Sequence, residues 1–449
     1  MTASLSLPGL FRDHPVRPVN PQDPLARNNE VCAGGMTAGS VRPRIGFACL
    51  WEQIPERTWS YSAWNLRAAL RLIADTTDVG VQIPRLSRLA LKAMHTRYRD
   101  GRLTTTWSYS RLTDAYNMRA LHREFVRKPA ARNCDAVVVI DDLAALSVPF
   151  FTYYDSSWDA LISANDSAEA YAALRLIKPS TMARRRERQL AVYERATGVI
   201  AMSHWFARSL VEQSGVSPGK VHVVHGGVSS GRALRDDHLD SGPVNERGEH
   251  MPRRPLRERA APRRRLLFVG RQYNEFDFYR KGGDLVVAAL ALLRRDYDPG
   301  ITLTLVGPEK WPLPGSPPDG VRFLGVQPPD AVAALYDSHD LFVMPSRLEP
   351  FGVVFAEALS RGLPCIARDA YAMPEIVTPG VSGALITKDD EHELAATIAA
   401  ALDDDALYKS CYARAPEIAE YFSWERAAGE MAEVITQQLR SAPLSLESG

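Results

Sequence analysis

Apolar residues in this chain fall in short unbroken blocks, not in alternation with polar ones. Arg44–Leu50, Cys134–Ile140, Pro149–Tyr154, Gly198–Ser203 and Val221–His225 are five such blocks, and Arg265–Gly270, Thr302–Gly307, Val321–Leu324, Asp340–Met344 and Pro364–Ala367 are five more. A continuous apolar run of this length predicts a strand buried on both faces. Between the blocks, residues 63–75, 181–196, 205–213, 283–294 and 352–361 carry apolar positions at helical spacing. Strands alternating with helices predict parallel sheets covered on both sides. The rhythm breaks at residues 226–265, which are rich in Gly, Ser, Asp and Arg, and it is absent from residues 1–42. So long a break does not fit inside one domain. The expected fold is α/β: two doubly wound, Rossmann-like domains facing across a cleft. The expected boundaries are a disordered tail at 1–42, an N-terminal domain at 43–225 and a flexible linker at 226–264. A C-terminal domain at 265–425 and a C-terminal helix and tail at 426–449 complete them.

Charge divides the chain along the same line. Residues 1–265 carry 39 Lys and Arg against 26 Asp and Glu, whereas residues 266–449 carry 15 against 27. A basic half beside an acidic one suggests that the basic half meets something anionic. The five cysteines, Cys32, Cys49, Cys134, Cys365 and Cys411, form no C-x-x-C pair and suit reduced thiols and a cytoplasmic setting. The first 40 residues lack the apolar stretch of a signal peptide, and no run approaches the roughly 18 apolar residues of a membrane-spanning helix.

The densest chemistry lies in Pro345–Ala358. A strand ends at Met344, a tight loop carries Glu349, and a helix opens near Gly352. The unpaired N–H groups of a first helical turn hold anions, aided by the helix dipole. Glycine at 352 lets backbone come close to a ligand. Glu349 stands before the helix, and Glu357 sits just over a turn into it, where it would accept hydrogen bonds from a diol. Two carboxylates flanking an anion site suit a ligand that is anionic in the middle and hydroxylated at both ends, as a nucleotide sugar is. Taken alone, two glutamates would equally suit a solvated surface.

The wording around them resembles the family-4 retaining glycosyltransferases of GT-B fold, whose signature E-P-F-G-x-x-x-x-E is matched by Glu349-Pro350-Phe351-Gly352 and Glu357. The match continues through Ala358–Ile366, Pro374–Val377 and Gly380–Gly383. The resemblance implies that Glu349 meets the transferred sugar and Glu357 the ribose. It implies that the amides of Phe351, Gly352 and Val353 hold sugar and phosphate, and that Gly325-Val326 reads the base. It also implies a cationic clamp on the diphosphate, from Arg271 and the Lys281 of a Lys-Gly-Gly word. Arg280 stands as the alternative to Arg271, because the gap between Arg271 and Lys281 is longer than the family pattern. Bidentate Arg and point-charge Lys stabilise a leaving diphosphate electrostatically. No cofactor or metal is expected, since no D-x-D word precedes a sugar site.

In the N-terminal half, Thr58–Ser62 occupies the place of the family's Gly-rich loop yet lacks glycine. Asp155, after the Phe151–Tyr154 block, resembles an Asp that some relatives place near the reacting sugar; its plainer reading is a helix cap before Trp158. His204, in the Ser203-His204-Trp205 word, reads as part of a cap turn. The expected activity is transfer of a hexose-type sugar to a hydroxyl acceptor with retention. Rival readings are a phosphorylase, a sugar-nucleotide epimerase and a non-catalytic binding protein. Absence of G-x-G-x-x-G and of G-x-x-x-x-G-K-[ST] disfavours dehydrogenases and P-loop NTPases.

Residues 85–132 add twelve Arg and Lys against three acids, interleaved with Leu86, Leu89, Leu91, Met94 and Tyr98. A basic amphipathic segment suits an anionic membrane. The expected partners are thus a nucleotide-sugar donor, a lipid-linked or polymeric acceptor and the inner face of a membrane. Nucleic acid is not expected, for lack of a recognition motif.

Overall fold

A computed structural model describes residues 42–99, 102–164, 177–228, 261–270 and 277–441. The expected tail thus lies outside the described residues, except for Arg42. The same holds for the expected linker, except for its two ends.

Twelve strands form two six-stranded parallel sheets. The first holds β1 (Arg44–Ala48), β2 (Asp75–Asp78), β3 (Ala136–Ile140), β4 (Phe150–Tyr154), β5 (Gly198–Ala201) and β6 (Val221–Val223) in the order β6-β5-β4-β3-β1-β2. The second holds β7 (Arg265–Val269), β8 (Thr302–Val306), β9 (Val321–Gly325), β10 (Leu341–Val343), β11 (Cys365–Arg368) and β12 (Gly383–Ile386) in the order β9-β8-β7-β10-β11-β12. Helices cover both sheets, and β3, β5, β10 and β11 are buried along their whole length. That burial is why these segments read as continuous apolar blocks.

One strand lacks that signature altogether. β2 reads Asp-Thr-Thr-Asp, yet it pairs with β1 from Arg44↔Asp75 to Phe47↔Asp78. It lies at a sheet edge, so it need not be apolar. Asp78 fixes it by an ion pair to Arg67 and by accepting the Gly80 N–H at 2.7 Å. β12 closes the other sheet against β11, with Gly383 so close to Cys365 that a Cβ would lie 1.9 Å from its carbonyl oxygen.

The two ends of the expected linker are packed. The Val228 N–H donates to Phe422 O at 2.7 Å, and a side chain at Gly227 would collide with Trp424. Arg263 is buried, stacks over the Tyr408 ring at 3.9 Å and donates to Leu402 O at 2.9 Å. The C-terminal helix Trp424–Ser441 leaves the second sheet and packs on the Ser62–Ile73 helix of the first.

In the second sheet, chain order reverses between β7 and β10. Ligands of open α/β sheets bind beyond the strand ends at such a switch point. The loop that leaves β10 is the one that carries Glu349.

Candidate active site

The loop Pro345–Gly352 is held from beneath by three guanidinium groups. Arg368 donates to Ser346 O at 3.1 Å and to Pro345 O at 3.3 Å. Arg280 donates to Leu348 O at 3.1 Å. Arg347 pairs with Asp284 at 2.7 Å and Asp389 at 2.8 Å, tying the loop to its neighbours. Charge-assisted bonds of this kind are stronger than neutral ones. They fix Glu349, which is only 7% exposed. Gly352, at φ 89°, starts the Val353–Leu359 helix from a left-handed conformation. A Cβ there would lie 3.0 Å from Glu349 Cγ and 2.8 Å from Phe355, so the turn requires glycine. The helix has only seven residues. Any anion at its start would be held by N–H groups, with little added by a macrodipole.

Lys281 reaches the same point. Its Nζ lies 2.6 Å from Glu349 Oε2, and Ser346 Oγ donates to that oxygen at 3.3 Å. Gly282, at φ 73°, turns the chain from Lys281 into the Gly283–Asp296 helix, where a Cβ would strike Pro345 O at 2.6 Å. Arg280 is committed to Asp277 at 3.1 Å as well as to Leu348 O. It supports the loop from below, which differs from the clamp expected of it. Arg271 lies outside the described residues.

Glu357 is half-buried and accepts a hydrogen bond from the Tyr336 hydroxyl at 3.0 Å. Burial pushes its carboxyl up to about 7, with Tyr336 and Arg361 working against the rise. Val326 stands 64% exposed where β9 ends. Phe351 is turned away from solvent. It stacks on His225 at 6.1 Å and meets Phe422 at 6.2 Å. Its side chain therefore belongs to the seam between the two halves, and only its backbone is left for a ligand. Val353 is half-buried on the first helical turn.

Across the cleft, Asp155 follows β4. The cap expected of it is made instead by Ser157, whose Oγ accepts the Ala160 N–H at 3.1 Å. Burial, and next the charge of Glu349, raise Asp155 to about 6. The Trp59 indole N–H hydrogen-bonds the Asp155 carboxyl. Trp59 also stacks on Tyr154, with centroids 5.1 Å apart and planes 28° apart. Trp59, Ser60 and Tyr61 have φ of 49°, 54° and 72°. The loop thus takes a left-handed path without a glycine, at a cost of about 1–3 kcal/mol per residue that the surrounding contacts must offset.

Glu375 carries a role that its sequence context did not assign. It sits in the Met373–Ile376 turn after β11, with its side chain 5% exposed. It accepts the His204 N–H at 2.8 Å and the Trp205 N–H at 2.6 Å, the first N–H groups of the His204–Glu212 helix of the other half. His225 Nε2 lies 3.3 Å away. Against its burial, His225 and next the two backbone N–H groups hold Glu375 below the usual carboxylate range. Ser203 caps the same helix through the Phe206 N–H at 3.1 Å and donates to Pro350 O at 3.2 Å. The two halves are therefore joined at the residue that follows Glu349. His204, expected in the cap turn before a helix starting at Trp205, is the first residue of that helix.

A parallel-sheet pair with carboxylates and a lysine meeting across the cleft defines an enzyme of the GT-B type. Two family profiles match the chain in tandem: Glycosyltransferase Family 4 over residues 65–232 and Glycosyl transferases group 1 over residues 257–418. The chain belongs to the family-4 glycosyltransferases. It is 29% identical over 267 residues to the D-inositol 3-phosphate glycosyltransferase of Corynebacterium aurimucosum, covering 56% of this chain and 59% of that one. It is 33% identical over 177 residues to the glycogen synthase of Mycobacterium tuberculosis, covering 38% and 41%. The chain thus spans less than two thirds of the length of these curated relatives. Among solved structures, it resembles sucrose-phosphate synthase from Thermosynechococcus elongatus, with a TM-score of 0.59, 19% identity and coverage of 89% and 100%. It also resembles Anabaena HepE in complex with UDP and glucose, with a TM-score of 0.56, 17% identity and coverage of 88% and 100%.

Proposed function

We propose that this protein transfers a hexose-type sugar from a nucleotide-sugar donor to a hydroxyl acceptor, with retention at the anomeric carbon. The observation that carries the reading is the Lys281–Glu349 pair, 2.6 Å apart at the switch point, with Asp155 facing it. A donor entering there exchanges one anion for another: its diphosphate takes Lys281, which frees Glu349 to accept hydrogen bonds from the sugar. Lys281, joined by Arg271, then stabilises the negative charge that builds on the departing nucleoside diphosphate. The acceptor hydroxyl attacks from the face the leaving group vacates, and Asp155 accepts its hydrogen bond. Glu357 receives the ribose hydroxyls, and Val326 lies beside the base. Arg280 keeps the loop in place.

A thermal-shift screen of UDP-, GDP- and ADP-sugars tests the donor. A ligand at about 100 times its dissociation constant adds about 2.7 kcal/mol of stability. Donor-dependent sugar transfer that needs no inorganic phosphate supports the reading, and phosphate-dependent sugar release would replace it by a phosphorylase. No shift with any nucleotide sugar would overturn it.

The finer reading of location rests on the Arg85–His95 helix. Its Leu86, Leu89 and Met94 are 82%, 65% and 51% exposed, and Tyr98 beyond it is 74% exposed, beside Arg85, Arg88 and Lys92. Leu91, expected on that face, is 6% exposed and packs inward, so it is unable to enter a bilayer. Among the described residues no helix is long and apolar enough to cross a membrane. The surface suits peripheral docking on anionic lipid, where each Lys or Arg adds about 1 kcal/mol. Co-sedimentation with anionic vesicles at low salt, lost at high salt, is the expected result. Indifference to anionic vesicles would favour an acceptor free in solution.

A further inference from the structure

On the donor reading above, we propose that Trp59 is the positioning residue of Asp155: it fixes the carboxyl where β4 ends and sets it to accept a hydrogen bond from the acceptor hydroxyl. The ring is clamped by the strand that leads to its target. It stacks on Tyr154, with centroids 5.1 Å apart, and meets Tyr153 edge-on at 5.8 Å. Tyr153 is wholly buried and donates to Val224 O at 3.2 Å, so it gives the indole a fixed seat. The next residue is Asp155, and the indole N–H bonds its carboxyl. One side chain thus meets three successive residues. The backbone around Trp59 is held just as firmly. Its φ of 49° is one that residues with a Cβ rarely adopt. The Trp59 carbonyl accepts the Ser62 N–H at 3.0 Å, and Thr58 Oγ1 accepts the Glu52 N–H at 2.9 Å. Strain of this kind persists where the surroundings over-determine it, and it gathers at functional sites.

The chemistry of the contacts selects one protonation state. Ser156 Oγ donates to Asp155 Oδ1 at 3.3 Å, and the indole N–H is able only to donate. An ionised carboxylate accepts both bonds and keeps lone pairs for a substrate hydroxyl, whereas a protonated one has an O–H of its own to place. Burial, and next the charge of Glu349 on the facing loop, favour the protonated form, and the bonds from Ser156 and Trp59 oppose it. The phenols of Tyr153 and Tyr193 also feel Asp155, but burial pushes both up and keeps them neutral near pH 7. Without the indole bond, Asp155 would stay protonated further into the neutral range and would offer a donor to the acceptor hydroxyl. A tryptophan that served packing alone would need its ring and not its N–H.

The test separates the N–H from the ring. In the nitrogen-15-labelled full chain, one of the eight indole N–H signals should titrate with a midpoint near 6. That signal should stop titrating in Asp155→Asn and be missing from Trp59→Phe, which keeps a ring on Tyr154. In sugar transfer, Trp59→Phe should lower kcat about tenfold with the donor KM unchanged, the split expected of a contact that matters in the transition state. The acid limb of its kcat profile should move up by about one pH unit, because a lost bond to the ionised form disfavours that form. In the Asp155→Asn background the same substitution should cost little more, since the two residues act as one unit. Melting temperature checks the folding of each variant, and the titration in the unaltered protein stands even if Trp59→Phe does not fold. No indole signal that depends on Asp155, an unmoved acid limb in folded Trp59→Phe, or additive losses in the double variant overturns the inference. If no nucleotide sugar supports transfer, it is the donor reading that fails, and the indole titration still decides whether Trp59 holds Asp155.

Discussion

The two walls of the cleft are built on different principles. The C-terminal wall is fixed by ion pairs: Arg347, Arg368 and Arg280 pin one loop, and Lys281 and Glu349 close on each other above it. The N-terminal wall is fixed by rings and a bent backbone. Trp59, stacked on Tyr154, holds three successive residues in left-handed conformations, and Asp155 hangs from the Trp59 indole. The donor side needs fixed charges to receive a diphosphate. The acceptor side needs shape and hydroxyl recognition. Of the first wall, only the Glu349–Glu357 words stand close in sequence; its ion pairs, like the ring contacts of the second, join segments far apart.

The largest effects should come from breaking the charged wall. Glu349→Ala and Lys281→Ala should each lower turnover by about 10²–10³, the usual cost of losing one such stabilising contact. Their side chains are only 9% and 12% exposed. Each single variant strands a mostly buried charge, which costs about 3–5 kcal/mol of stability. The double variant Lys281→Met/Glu349→Gln should recover most of the melting temperature while turnover stays low. Recovery of turnover in the double variant would reduce the pair to a structural one.

The joint between the walls should come next. Glu375→Gln removes the charge that caps the His204–Glu212 helix from the other half. A lost charge-assisted cap costs about 1–2 kcal/mol, and kcat/KM should fall about tenfold with little change in the melting of either half. Small-angle scattering should show a larger radius of gyration. An unchanged radius together with normal kinetics would show that the halves do not depend on this contact.

The pH response should sharpen the contrast. Glu357 sits at about 7 against an ordinary 4.5, with burial as the main cause. Between those values the folded chain keeps a proton that the unfolded chain has lost. Its contribution to stability is whole below the unfolded value and is lost as pH rises through about 7. A ribose diol donates to the ionised carboxylate, so donor binding favours proton release. The donor KM should therefore fall, by up to about tenfold, as pH rises from 6 to 8. The melting temperature without nucleotide should decline over the same range. Glu357→Gln should flatten both profiles, and a pH-dependent KM that survives in this variant would assign the titration elsewhere.

How much was legible follows from the same contrast. The strands buried on both faces announced themselves as apolar blocks, and the Glu349–Glu357 words stand within nine residues of one another. β2 was silent because an edge strand need not be apolar. The cap on the expected Asp155 helix went to Ser157, a choice between near neighbours that composition does not settle. Glu375 stands in the matched Pro374–Val377 word, but its role as a cap was hidden, because the helix it caps lies about 170 residues away in the chain. Phe351 sits inside the signature, yet its ring serves the seam, which only the packing of His225 and Phe422 reveals. The Thr58–Ser62 loop lacks the glycine of the family's loop, and its left-handed residues, with Trp59 stacked on Tyr154, could not be read from composition.

That loop supplies the smallest expected effect. Tyr61, at φ 72° and ψ −8°, precedes the Ser62–Ile73 helix in a conformation that disfavours a Cβ. Tyr61→Gly removes a strain of about 1–2 kcal/mol. It also widens the unfolded ensemble, at a cost of about 0.5–1 kcal/mol. The net change in stability should be within about 1 kcal/mol and on the stabilising side. If the loop serves the acceptor wall through its fixed shape, turnover should fall severalfold in the same variant while the donor KM stays put, because the charged wall is untouched. Chemical denaturation and steady-state kinetics on one preparation read both quantities. A clear loss of stability would show that the Tyr61 ring, and not the backbone bend, holds this corner of the cleft, and a changed donor KM would show that the two walls are not separable.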